Sequence, residues 1–82
     1  MKSFIIVTTI YNSAMAFIVT RISTKPYRFK VTTRVGEPAA LVLKLMPGDH
    51  FIAEHISFKY FTKTNIEKLG AMIKLEKSRW AL

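Results

Sequence analysis

The chain has 82 residues, half of them hydrophobic, with 3 Gly, 3 Pro and no Cys, and its 13 Lys and Arg against 5 Asp and Glu leave a net charge of +8. That length suits a single domain spanning residues 1–82, with one core and no room for a catalytic unit beside a regulatory one, and the apolar share excludes a disordered basic tail. Without cysteine there are no disulfides, thiolate metal sites or cysteine nucleophiles, which fits a reducing, cytoplasmic setting, while the positive field favours polyanionic partners.

The first segment, SFIIVTTIYNSAMAFIVT, is free of charge between Lys2 and Arg21. A membrane helix needs roughly 20 predominantly apolar residues. This stretch is shorter and carries Asn12-Ser13 at its middle, where polar groups cost most in a bilayer. A signal peptide is the sharper alternative, since Ala14-Met15-Ala16 has the small-x-small cleavage pattern, but its apolar run is short and broken by Thr8 and Thr9. Ile, Val, Thr, Phe and Tyr suit pleated strands, and Asn12-Ser13 has turn chemistry. The segment therefore reads as a β-hairpin, with strands near 3–11 and 15–24. Phe4, Ile6, Thr8 and Ile10 are expected on one face with Ala16, Ile18, Thr20 and Ile22, and Ile5, Val7, Met15, Phe17 and Val19 on the other. Both faces are apolar, so a cover is expected on each side, one of them a partner subunit.

YRFKVTTRV, residues 27–35, alternates apolar and cationic positions and reads as a half-buried strand. A fourth strand is expected near 40–46. Met46-Pro47-Gly48-Asp49 then matches a type II turn, Pro presetting φ at its second position and Gly supplying positive φ at its third. A fifth strand follows near 50–61.

After residue 63 the apolar period changes to that of a helix. Thr64-Asn65-Ile66-Glu67 reads as a capping box, and Ile66, Leu69, Met72, Ile73 and Trp80 form an apolar stripe over a helix near 65–80. The stripe is assigned to the core, in preference to a membrane-surface helix with Trp80 at the interface. The expected fold is α+β: a five-stranded antiparallel sheet, meander or small partly open barrel, followed by one C-terminal amphipathic helix.

The cations give the leading functional candidate. If strands two and three turn at Lys25-Pro26, Ile22 is expected opposite Phe29, Ser23 opposite Arg28 and Arg21 opposite Lys30. Like charges across a ladder destabilise it, and a bound phosphate or a partner carboxylate relieves them. Arg21, Lys25, Arg28, Lys30, Arg34 and Lys44 are the candidate nucleic-acid-binding residues, with Lys59 extending the stripe and Phe17 or Val19 as an apolar shoulder. The plainer reading is a solvated strand face whose lysines and arginines discourage edge pairing. Tyr27 and Phe29 point inward in this alternation, which leaves Tyr11, Tyr60 and Phe61 as candidate stacking groups.

His50, Glu54 and His55 resemble a catalytic or metal cluster, yet a strand spreads His50 and Glu54 along one face and turns His55 to the other. No metal or cofactor site is expected. The composition therefore points to a non-enzymatic binding protein for RNA or another nucleic acid, acting mainly on phosphate. The alternative is an inhibitor or antitoxin-like module for an acidic or nucleic-acid-processing protein, and a small ribonuclease using His50 or His55 ranks below both. Self-association, as a homodimer or in a hetero-complex, is expected through the N-terminal hairpin, without a membrane partner.

Overall fold

β-Branched and aromatic residues are abundant in the first three of five apolar segments, and each of the five becomes a strand. A computed structural model describes residues 3–10, 12–33, 41–56 and 61–80. In chain order it runs β1 (Ser3–Ile10), β2 (Ser13–Thr24), β3 (Tyr27–Thr32), β4 (Leu41–Met46), β5 (His50–Ile56) and α1 (Lys63–Leu75), closed by a 3-10 turn, Lys77–Arg79. Every neighbouring pair is antiparallel and the order is β1-β2-β3-β4-β5, an open meander and not a barrel.

The turns follow local chemistry. Gly48 supplies a φ of 90° and the Asp49 amide donates to the Met46 carbonyl at 3.1 Å, as the Pro-Gly pair implies. Lys25-Pro26, joined by a cis peptide bond, links β2 to β3, and the Ser23 hydroxyl donates to the Pro26 carbonyl at 2.6 Å.

The loop of the first hairpin is one residue shorter than expected. Ile10 pairs with Ser13, which leaves two residues between the strands, and Asn12 takes a φ of 63°, a left-handed conformation that asparagine tolerates. Because side chains alternate with a period of two, this shift reverses the faces of β2 relative to β1. Phe4 faces Val19 and Ile6 faces Phe17, all four buried, while Ile5 faces Ile18 and Val7 faces Ala16 on the opposite side. The expected grouping of Phe4 and Ile6 with Ala16 and Ile18 is thus corrected. The observed phase gathers the large side chains beneath α1 and leaves the alanines outside.

The core joins Phe4, Ile6, Phe17, Val19, Phe29, Val31, Leu41 and Leu43 of the sheet to Phe61, Leu69, Ile73 and Trp80 of the C-terminal segment. Gly70 lets the helix approach β5 closely, since a Cβ there would stand 3.1 Å from Phe51 Cδ2. Lys68 Nζ ties the helix to β1 through the Thr9 carbonyl at 2.9 Å.

The helix starts earlier than its sequence suggests. Thr62, not Thr64, is the N-cap, its hydroxyl accepting the Asn65 amide at 3.3 Å, so Glu67 falls too far along the helix to complete a capping box. Thr62→Ala is expected to cost about 1 kcal/mol in urea unfolding, whereas Thr64→Ala should stay within about 0.5 kcal/mol of the parent.

The helix also ends earlier, at Leu75. Glu76 donates its amide to the Ile73 and Lys74 carbonyls, and the 3-10 turn swings Trp80 back under the helix. The Trp80 indole N–H donates to the Ile73 carbonyl at 3.0 Å, and its ring meets those of Phe29, Tyr27 and Phe51 with centroids 4.9, 5.0 and 6.2 Å away. Trp80 is therefore a core residue at 2% exposure, which overturns the membrane-interface alternative for it. Among the described residues no helix is long and apolar enough to cross a membrane.

Candidate nucleic-acid interface

One sheet face packs on α1, and no described element covers the other. On that open face the β3–β4 register sets Arg28 directly opposite Lys44 and Lys30 opposite Val42. Side chains in such pairs have Cβ atoms about 4.5–5.5 Å apart, so Arg28 and Lys44 repel each other across the ladder. Lys30 is two residues from Arg28 along β3, on the same side. Three cations thus share one patch on two adjacent strands.

Among the described residues, one carboxylate offsets part of this charge. Arg28 Nε donates to Glu54 Oε1 at 2.7 Å, and its Nη1 reaches Ser23 Oγ at 3.4 Å. Both partners of the ion pair are about one-third exposed, with side chains at 31% and 34%. An ion pair in that setting contributes roughly 0.2–1 kcal/mol, and it neutralises one cation of the three. Lys30 and Lys44 are half-buried, and Lys25 is exposed at the β2–β3 turn.

Arg21 belongs elsewhere. β2 bulges between Arg21 and Ser23, so Ile22 is an extra residue and Arg21 pairs with Phe29 on the helix side. There its guanidinium donates to the Trp80 carbonyl, securing the turn that follows α1. The expected opposition of Arg21 and Lys30 is replaced by that of Arg28 and Lys44, because simple alternation carries no sign of a bulge. The Ser23–Arg28 pairing is as expected. Arg34 and Lys59 lie outside the described residues, as do Tyr11 and Tyr60.

Phe61 is buried, with its ring centroid 6.1 Å from that of Phe17, so it offers no stacking surface. Phe17 and Val19 are core residues and form no shoulder to the cations. The apolar neighbour of the patch is instead the β1–β2 half of the open face, where Ile5 and Val7 are 60% and 56% exposed and Ala14 and Ala16 are also exposed.

β5 borders the cationic half on its other side. Its own bulge makes Glu54 the extra residue between Ala53, opposite Leu43, and His55, opposite Val42. His55 therefore returns to the open face, where His50 stands opposite Met46, in place of the expected placement on the face opposite to His50. At about 3.3 Å per residue the two histidines are roughly 15 Å apart along the strand, too far to serve one phosphate together. Among the described residues no group of three or more His, Asp or Glu converges on a point.

No family model, curated protein or solved structure matches this chain.

Proposed function

We propose that the protein is a small, non-enzymatic nucleic-acid-binding protein that holds the phosphate backbone on Arg28, Lys30 and Lys44, with Lys25 at the rim. The supporting observation is the opposition of Arg28 and Lys44 beside Lys30 on the sheet face that α1 leaves open. A phosphate between these side chains replaces repulsion with two charge-assisted hydrogen bonds. The described aromatic residues belong to the helix side or the core, so contacts are with backbone and sequence selectivity is weak. A flat sheet face enters no groove, which favours a flexible single strand, RNA before duplex DNA, in a cytoplasmic setting.

Titrating labelled single-stranded RNA by fluorescence anisotropy across a salt series tests this. Three or four phosphate contacts predict a slope of log K against log salt between about −2 and −3 for a single strand. Absence of binding at about 50 mM salt, or a slope near zero, would refute the reading.

A second reading, an inhibitor or antitoxin-like module for an acidic protein, draws support from exposed Ile5 and Val7 beside the cations. Such a partner would remain bound in a pull-down after nuclease digestion, and a partner held only through RNA would be released.

A further inference from the structure

We propose that β1 is a dimerisation edge, at which two copies of this chain join antiparallel about a two-fold axis at Ile6 into one continuous sheet. This inference is independent of the nucleic-acid reading. It starts from the unlike ends of the sheet. Among the described strands, β1 and β5 each have a single neighbour, and a free edge presents unpaired main-chain N–H and C=O groups that template another strand. β5 is blunted by its bulge and by exposed Glu54 and His55. β1 has neither a bulge nor a charge of its own: eight residues, SFIIVTTI, run in unbroken register with β2, without a proline.

The free groups can be assigned. In an antiparallel ladder, alternate residues direct their main-chain groups to one neighbour, so every second residue of β1 faces the open edge. The Thr9 carbonyl, taken by Lys68 Nζ at 2.9 Å, marks the odd-numbered residues as that set. Lys68 closes this edge at Thr9, and Ile5 and Val7 form its open middle.

Register follows from the requirement that paired residues share a face. Centring the axis on Ile6 sets Ile5 opposite the second copy's Val7, and Val7 opposite the second copy's Ile5, so the free edge groups exchange main-chain bonds twice over. The exposed apolar side chains of the open face then meet across the seam. No charged residue lies in β1, so the strand complements itself and a second copy is the occupant it fits.

Charge decides against the competing arrangement. Stacking two open faces so that the cationic halves overlap would oppose Arg28, Lys30 and Lys44 to their counterparts. Edge pairing separates the two β3 strands by five strand spacings, roughly 24 Å, well beyond the Debye length of about 10 Å at 0.1 M salt. Both helices then lie on one side, and both cationic patches lie on the other, flanking an apolar centre.

The full chain, nuclease-treated and in high salt, is examined by sedimentation equilibrium between about 1 and 100 μM. The expected mass is twice the 9.4 kDa of one chain. Ile5→Lys plus Val7→Lys sets like charges across both pairs and should weaken association by about tenfold or more. Ile5→Glu plus Val7→Lys sets opposite charges across the same pairs and should restore the dimer. Both positions are exposed, so the monomer fold should persist, which circular dichroism melting verifies.

A parent chain that stays monomeric throughout overturns the proposal, as does a Lys/Lys variant that dimerises normally. A Glu/Lys variant that fails to recover overturns the register. If the variants do not fold, amide exchange on the parent decides: protection at Ile5 and Val7 must rise with protein concentration, and constant protection refutes the edge.

Discussion

Trp80→Ala is expected to lower stability by about 3–5 kcal/mol, the largest loss of any single substitution considered for this chain. The indole lies against Phe29, Tyr27 and Phe51, and truncation opens a cavity where sheet, helix and 3-10 turn meet. Two polar links are disturbed as well. The Ile73 carbonyl loses the indole N–H but keeps the Glu76 amide, and the Trp80 carbonyl loses the anchored position at which it accepts from Arg21. A domain of this size has a total stability of roughly 4–12 kcal/mol, so the variant should be partly unfolded at physiological temperature. Urea unfolding followed by circular dichroism checks this, because the substitution removes the chain's one tryptophan and with it the fluorescence signal. Trp80→Phe retains most of the ring packing and loses one donor, for an expected cost of about 1–2 kcal/mol. A loss below about 1 kcal/mol for the alanine variant would place Trp80 outside the core.

Lys30→Glu plus Lys44→Glu is expected to weaken RNA binding on the order of a hundredfold at low salt and to flatten the salt dependence. Arg28 is deliberately kept. Reversing it would oppose Glu54 with another carboxylate where an ion pair of 2.7 Å now stands, and would mix stability with binding. The matched control is Lys63→Glu plus Lys77→Glu, two exposed cations of the C-terminal segment. Each reversal removes two charges, so both variants carry +4 in place of +8. Equal loss of affinity in the two would assign binding to net charge, whereas loss confined to the Lys30 and Lys44 variant assigns it to the open face. Anisotropy titrations at two salt concentrations separate these outcomes.

The strands and helix were legible because their signals are local. Alternation in YRFKVTTRV gives the inward Phe29 and Val31 and the outward Arg28 and Lys30, and Pro47-Gly48 marks its turn by backbone preference alone. The N-cap is not legible in the same way, because Thr62 and Thr64 are chemically equivalent candidates and only the folded helix start shows that the Thr62 hydroxyl meets the N3 amide. In the candidate site, alternation turns Arg28 and Lys30 outward, but which residue of β4 stands opposite them is not available from periodicity, and the β3–β4 register brings Lys44 to Arg28.

Residue order along the chain settles the periods of five strands and a helix, the positions of two turns, and the excess of cations. Packing settles phase. A hairpin loop one residue shorter and single-residue bulges at Ile22 and Glu54 cost little locally, yet each changes which side of the sheet the following side chains occupy. Filling the space beneath α1 with Phe17 and Val19 instead of Ala16 and Ile18 selects among these phases. That selection sends Arg21 to the Trp80 carbonyl and leaves Ile5 and Val7 exposed beside the three remaining cations.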